Sequence, residues 1–157
     1  MRILPLPLLC IALLGTGSLA WAADYDFRLV SVSLDSGILP GKEPQPVGEF
    51  VFANTSKWPL KVFGVGEVKE GAHVPSLVQF QYKLKASWRA AGGAGFGETA
   101  PTVVTLAPGE MRTLRIPLIN IARLSATGRV GLRAQRGGEI LWSAPIEPQA
   151  FQLLARQ

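Results

Sequence analysis

The strongest constraint on the fold is a strict alternation of apolar and polar side chains. In residues 78–89, the even-numbered positions are apolar up to Trp88, and the odd-numbered positions are glutamine, lysine, serine or arginine. Successive side chains of a strand point to opposite faces, whereas a helix would scatter these apolar residues around its circumference. The segment is therefore predicted to be one long strand with a buried face and a basic face in water.

Seven shorter segments have strand-like alternation or the β-branched and aromatic composition that is typical of strands. They are residues 27–34, 47–53, 60–68, 102–106, 111–118, 129–135 and 140–146. Alternation predicts the buried faces of three of them, which carry Val30, Val32 and Leu34, then Leu114, Ile116 and Leu118, and then Val130, Leu132 and Ala134. The same reasoning places Trp88 and Trp142 in the core.

Turn-forming residues separate these segments. Residues 54–59 and 107–110 are rich in the Asn, Ser, Pro and Gly that favour turns, and Gly137-Gly138 predicts a hairpin. Gly64 and Gly66 either weaken their strand or mark a bulge.

Less regular structure is expected in four places. Pro117 cannot donate to a ladder, so its strand is expected to lie at a sheet edge or to end there. Residues 37–46 and 90–101 are predicted to be irregular because proline recurs in the first and glycine in the second. Residues 119–124 can form one helical turn between strands.

About eight short strands without a long helix predict an all-β fold. We expect one antiparallel β-sandwich domain over residues 23–157, with an immunoglobulin- or fibronectin-like architecture. The resemblance is one of pattern only, because the cysteine pair and tryptophan spacing of true immunoglobulin domains are missing. A chain of this size buries roughly two thirds of its unfolded surface, so it can fold on its hydrophobic core alone.

Residues 1–22 indicate export. Arg2 precedes an apolar run, and Ala20-Trp21-Ala22 places small residues at a cleavage site, which is the pattern of a cleavable signal peptide. The run is interrupted by prolines and is shorter than the roughly 20 apolar residues that an anchor needs. A bacterial lipoprotein has a small residue directly before its acylated cysteine. Here Leu9 precedes Cys10, so the chain does not match that pattern. We therefore expect cleavage near Ala22, a periplasmic or secreted domain, and no transmembrane segment after cleavage.

Loss of the leader removes Cys10, which is the only cysteine of the chain. The remaining domain has no cysteine thiolate that could ligate a metal, and His73 is its single histidine. We therefore expect no metal and no cofactor. Glu70, His73 and Ser76 have the spacing of a helical triad, but Gly71 and Pro75 argue against a helix. A nucleophile-elbow motif is also missing.

Two other patterns with chemical associations are weak. The glycine cluster at residues 93–97 is followed by no helix and by no phosphate-binding lysine, so a hairpin loop is the better interpretation. Glu67 and Glu70 bracket a lysine, and solvation explains them better than a glycosidase pair does. The protein is therefore not expected to be an enzyme.

The candidate partner-binding residues are basic and aromatic. Lys83, Lys85 and Arg89 are expected on one strand and Arg129 and Arg133 on another, forming a basic face if the strands share a sheet. The formal net charge is +5 and falls by one when Arg2 leaves, which favours an acidic partner. It does not favour nucleic acid, because no basic run is dense enough. A purely solubilising face is the alternative.

Trp58 and Phe96 are the aromatic candidates, the first in a turn and the second in the glycine-rich loop. Either could stack on a sugar or anchor a partner. We expect a non-enzymatic binding or accessory protein that docks another envelope or secreted protein through its loops or its basic face. A carbohydrate-binding module of the cell envelope is the alternative, and a hydrolase is a third, less favoured hypothesis.

Overall fold

A computed structural model describes residues 24–35, 43–63, 65–69, 72–75, 77–95, 103–134 and 138–152. The proposed leader and Phe96 lie outside these ranges, and so do Glu70 and Ser76 of the triad pattern and most of the predicted irregular stretch at residues 37–46.

The described residues form eleven strands and two short helices. The strands are β1 (Tyr25–Asp35), β2 (Gln45–Asn54), β3 (Leu60–Phe63), β4 (Val65–Lys69), β5 (Ala72–Pro75), β6 (Leu77–Leu84), β7 (Ser87–Gly95), β8 (Val103–Leu106), β9 (Met111–Pro117), β10 (Gly128–Arg133) and β11 (Ile140–Trp142). The helices are α1 (Ile119–Ala122) and α2 (Gln149–Gln152). The all-β prediction and the helical turn after β9 are confirmed, while α2 was not predicted.

Three sheets organise these strands. A five-stranded sheet has the order β1-β2-β9-β5-β4, a four-stranded sheet has the order β11-β10-β6-β7, and β3 pairs with β8. The pairs are antiparallel except for β5 and β9, which run parallel. An isolated bridge between Val62 and Ala134 joins β3 to the chain just after β10. The two-stranded sheet is therefore joined to the end of the four-stranded sheet.

One hydrophobic core receives side chains from both larger sheets. Phe27, Phe50 and Phe52 form an aromatic cluster on the β1 and β2 side, with ring centroids 5.3 and 5.4 Å from Phe27. Edge-to-face and tilted ring pairs of this kind add to the stabilisation from burial. The alternating faces predicted for β9 and β10 are confirmed, because the side chains of Leu114, Ile116, Leu118, Val130, Leu132 and Ala134 are buried.

The predicted long strand over residues 78–89 is wrong, because the chain turns back in the middle of it. β6 ends at Leu84, and Leu84 pairs with Ser87 across a two-residue turn of Lys85 and Ala86. Lys85 has a φ of 54°, the positive value that tight hairpin turns of the primed types require at a central residue. The register also means that Ser87, not Trp88, shares a face with Leu84.

The expected irregularity of residues 90–101 is wrong for residues 90–95, which continue β7. The β6–β7 register shifts between Gln79 and Gln81, which places an extra residue on β7. Gly92 in this stretch has a φ of 97°, a conformation that glycine adopts without the steric cost of a side chain. Gly92 therefore lies in a bulge within a strand and not in a loop.

Bulges also change the predicted faces of two other strands. The register of β1 against β2 shifts between Leu29 and Ser31, so Val30 is an extra residue and its side chain is exposed. The expectation that Val30 lies on a buried face with Leu34 is wrong, since Leu34 is exposed as well. The predicted 60–68 strand is divided between β3 and β4, and a register shift between Val65 and Val68 favours the bulge over the weakened strand as the alternative for Gly66.

The predicted turn at residues 107–110 is confirmed. The Glu110 N–H donates to the Ala107 carbonyl at 3.0 Å, and Gly109 has a φ of 78°. Proline followed by a glycine of positive φ is the pattern of a type II turn. Downstream, β9 ends at Pro117 as expected, although it is a central strand of its sheet.

Candidate functional site

The outer face of the four-stranded sheet brings together side chains that are far apart in sequence. β6 and β10 are direct neighbours, and Arg129 pairs with Gln81 across them. Lys83 pairs with Trp88 on β7, and Gly131 pairs with Trp142 on β11. Cross-strand partners share a face, and these residues alternate with buried core positions. We call the set Gln81, Lys83, Trp88, Arg129, Gly131, Arg133, Ile140 and Trp142 the outer face.

Arg129 lies between two indole rings at the centre of the outer face. Its Cζ atom is 4.2 Å from the ring centroid of Trp88 and 4.4 Å from that of Trp142. The two rings come from different strands, because Trp88 lies on β7 and Trp142 on β11, the two edges of the sheet. A cation close to an indole face is attracted by the ring quadrupole, and a planar guanidinium also stacks on it.

The prediction that Trp88 and Trp142 belong to the core is wrong. Both are half-buried on the outer face and pack against Arg129. For Trp88 the reason is the two-residue turn, which reverses the relation between residue number and sheet face. For Trp142 the reason is that its neighbour Leu141 takes the buried position in the short strand β11.

Gln81 fixes the guanidinium in its plane. Nε and Nη2 of Arg129 donate to the Gln81 Oε1 atom at 2.9 and 2.6 Å. These two hydrogen bonds use one edge of the guanidinium and leave the Nη1–Nη2 end pointing away from Gln81. No alternation rule could have found this contact, because it joins residues 48 positions apart.

Gly131 allows Trp142 to lie flat against the sheet. A Cβ atom at position 131 would stand 2.7 Å from a ring carbon of Trp142 and 2.4 Å from the Ile140 Cγ2 atom. Both distances are well below ordinary van der Waals contact. The missing side chain therefore provides the space in which the Trp142 ring lies, next to Arg129.

Tyr25 holds the backbone of Trp142 from the neighbouring sheet. Its hydroxyl accepts from the Trp142 N–H at 3.1 Å and donates to the Trp142 carbonyl at 3.3 Å. Desolvation raises the pKa of Tyr25, with opposing hydrogen bonding from Trp142. Desolvation also lowers the pKa of the Arg129 guanidinium, opposed by the nearby Tyr25. Arginine stays protonated at neutral pH in either case, so Arg129 presents a partly desolvated positive charge.

The other predicted basic residues do not all lie on the outer face. Lys83 and Arg133 are exposed on the outer face, and the exposed Lys85 forms the β6–β7 turn. Arg89 does not belong to the outer face, because it pairs with Tyr82 and so lies on the opposite side of the sheet. The expected basic face therefore lacks Arg89 and is interrupted by aromatic rings.

Arg129 differs from the other arginines in its electrostatic surroundings. Arg28, Arg112 and Arg115 form ion pairs with Asp26, Glu110 and Asp35. Among the residues that the structure describes, Arg129 alone of the arginines is neither exposed nor paired with a carboxylate. A half-buried charge without a counter-ion is uncommon, because burial of a charge is costly unless it is paired.

Trp58 lies elsewhere, in the turn between β2 and β3, and its side chain is 77% exposed. The turn around it is well ordered by hydrogen bonds. The buried Asn54 side chain donates to the Trp58 carbonyl at 2.8 Å and to the Leu106 carbonyl at 3.0 Å. Ser56 donates through Oγ to the same Trp58 carbonyl at 2.8 Å. The predicted turn at residues 54–59 thus presents an indole to solvent from a fixed backbone.

Of the catalytic pattern considered from the sequence, the described residues include one member. His73 lies in β5, where its backbone pairs with Val68 and Leu114, and its two proposed partners lie outside the described residues. Within the described ranges, no group of three or more His, Cys, Asp or Glu side chains could hold a metal ion.

None of the helices in the described part of the chain is long and apolar enough to cross a membrane. Comparison of the chain with protein-family models, with curated proteins and with solved structures finds no match.

Proposed function

We propose that this protein is an exported, non-enzymatic binding domain that docks another envelope or secreted protein through its outer face. The observation that carries the proposal is the partly desolvated Arg129 between Trp88 and Trp142, with Lys83 and Arg133 on the same face. Tryptophan and arginine are the residues most enriched among those that dominate binding energy at interfaces. The leader pattern supports export to the periplasm or beyond.

An acidic protein is the partner that this face fits. Three positive charges lie on the outer face and none of its members is acidic. Complementary charge raises the association rate and selects the partner, while the buried aromatic centre contributes most of the affinity. We also propose that the two larger sheets form an immunoglobulin- or fibronectin-like sandwich, which is supported by their shared core.

The docking role is tested by neutralising the basic residues and identifying what is no longer bound. A variant with Lys83→Gln, Lys85→Gln, Arg129→Gln and Arg133→Gln is compared with wild type in affinity capture from envelope extract. The captured protein is then purified and its dissociation constant measured with each form. The control variant carries Arg28→Gln, Lys57→Gln, Lys61→Gln and Arg123→Gln, which removes the same charge from other exposed positions.

The proposal predicts a loss of affinity of about tenfold or more for the outer-face variant and a small change for the control. Equal losses in the two variants would mean that only net charge matters. Unchanged affinity of the outer-face variant would remove the face from the binding role.

A carbohydrate-binding module is the second candidate function, and exposed Trp58 is the observation that favours it. An indole held on a fixed turn can stack on a pyranose ring. A glycan array is probed with wild type, Trp58→Ala and the neighbouring Lys57→Ala as control. Loss of a glycan signal in Trp58→Ala alone would support sugar binding, and equal signals in all three proteins would exclude Trp58 from it.

A further inference from the structure

We propose that the Nη1–Nη2 edge of Arg129, between the rings of Trp88 and Trp142, is a receptor site for one carboxylate of an acidic peptide segment. The inference rests on the docking function proposed above, and adds the residue and the chemical group that make the central contact.

Arg129 retains hydrogen-bond donors that no described residue uses. A guanidinium has five N–H groups, and the Gln81 Oε1 atom accepts from Nε and Nη2. Nη1 has no hydrogen-bond partner among the described residues, and no described carboxylate pairs with Arg129. The free end presents two parallel N–H groups, which is the arrangement that carboxylates bind in bidentate fashion.

The Arg129 side chain is already held in place before any ligand binds. Two hydrogen bonds to Gln81 and two indole contacts fix the plane of the guanidinium. A free arginine would lose much rotamer freedom on binding, whereas this one has lost it on folding. The indoles also lower the local dielectric, which strengthens a charge-assisted hydrogen bond made between them.

The surroundings of Arg129 favour a planar anion. The Arg129 Cζ atom lies over both indole rings, with centroids 4.2 and 4.4 Å away, so we infer that the open approach is along the guanidinium plane, at the edge that Gln81 leaves free. A carboxylate that makes a bidentate contact is coplanar with the guanidinium and fits this approach. A phosphate is tetrahedral, so its remaining oxygens would point towards the ring faces, which carry partial negative charge. The site therefore favours a glutamate or aspartate side chain over a phosphorylated one.

The test measures binding of three blocked hexapeptides of alternating glycine and a second residue, which is glutamate, glutamine or phosphoserine. Titration calorimetry gives the affinity of wild type, Arg129→Lys, Arg133→Lys and Gln81→Glu. Arg129→Lys keeps the positive charge but loses the planar guanidinium and its two parallel N–H donors. Arg133→Lys makes the same exchange at an exposed position of the same face. Gln81→Glu has the same shape as the wild type and gives Arg129 an internal counter-ion, so it weakens the site without disturbing the fold.

We expect the glutamate peptide to bind wild type, with an affinity at least about tenfold weaker in Arg129→Lys and Gln81→Glu and less than about twofold weaker in Arg133→Lys. The glutamine peptide should not bind. Near-ultraviolet circular dichroism of the tryptophans should match wild type in Gln81→Glu, which separates loss of the site from loss of the fold.

Other results would overturn the inference in distinguishable ways. If Arg129→Lys and Gln81→Glu bind like wild type while neutralisation of Lys83 and Arg133 abolishes binding, the docking face stands and the receptor site does not. Tighter binding of the phosphoserine peptide would replace the carboxylate with a phosphate. If the glutamate peptide binds no form of the protein, or binds all of them equally with the neutralised variant included, the receptor site and acidic docking through this face both fail.

Discussion

Asn54 shows how one buried side chain determines the position of an exposed one. Its amide donates to the carbonyls of Trp58 and Leu106, and its Oδ1 atom accepts from the N–H of Ser56. Both the amide nitrogen and the amide oxygen of Asn54 are thus hydrogen-bonded, although the residue is fully buried. Satisfied networks of this kind make a backbone conformation specific, because any partial loss leaves a polar group without water.

Asn54→Asp should therefore destabilise the fold by about 2–3 kcal/mol. The substitution keeps the shape but replaces two donors with an oxygen that faces the carbonyls of Trp58 and Leu106. Ser56→Ala, which removes one half-buried hydroxyl, should cost about 1 kcal/mol. Urea unfolding at neutral pH measures both. Equal stability of Asn54→Asp and wild type would contradict the network.

Tyr25 gives the fold a dependence on alkaline pH. Its folded pKa is raised above the ordinary value of about 10, and desolvation is the main cause. The neutral phenol is thus favoured in the folded state, and its contribution is fully present below pH 10. Above that pH the unfolded chain releases the proton more readily, so stability falls until the pH passes the folded pKa.

Wild type should lose more stability than Tyr25→Phe as the pH rises above about 10. Lysine titration and the second tyrosine of the domain are common to both proteins and cancel in the comparison. Urea unfolding at a series of pH values gives the two curves, and parallel curves would show that Tyr25 has no folded-state preference for its neutral form.

At the scale of elements, alternation predicts the buried faces of uninterrupted strands but misses the β6–β7 hairpin. Period-two alternation correctly identifies the buried faces of β9 and β10, where each strand runs through without interruption. It fails at Lys85 and Ala86 because neither residue is a usual turn former and the alternation continues through them. A two-residue turn exchanges the odd and even faces, so Trp88 moves from the predicted core to the outer face.

The outer face was therefore only partly predictable. The outward positions of Lys83, Arg129 and Arg133 follow from alternation within each strand. The neighbouring positions of β6 and β10 and the contact between Gln81 and Arg129 depend on strand pairing over a long separation. Local residue patterns do not encode such pairing, because its energy comes from the shared core and not from the strand itself.

A pair of glycine substitutions tests the hairpin. Lys85→Gly should stabilise the fold by about 0.5–1 kcal/mol, because glycine adopts a positive φ without the cost that a side chain imposes. Ala86→Gly should destabilise it by about 0.5–1 kcal/mol, since Ala86 does not have a positive φ. Thermal and urea unfolding measure the signs. Destabilisation by both substitutions would favour the continuous strand that alternation predicts.

At the scale of the whole molecule, two separate surfaces present tryptophan to solvent. One is the outer face, where two indoles enclose Arg129, and the other is the β2–β3 turn with Trp58. The first is the surface that we propose to bind an acidic protein segment, and the second is the one that we propose as a sugar site. Because the domain remaining after the proposed cleavage has only Trp58, Trp88 and Trp142, the two surfaces can be distinguished by three indole N–H signals.

The most direct test of the docking face is an NMR titration of ¹⁵N-labelled protein with the glutamate hexapeptide. The indole N–H signals of Trp88 and Trp142 and the Arg129 Nε–H signal should shift together with one dissociation constant, while the Trp58 indole stays in place. The glutamine hexapeptide should move none of them. A shift confined to Trp58, or no shift in any indole, would contradict binding through the outer face.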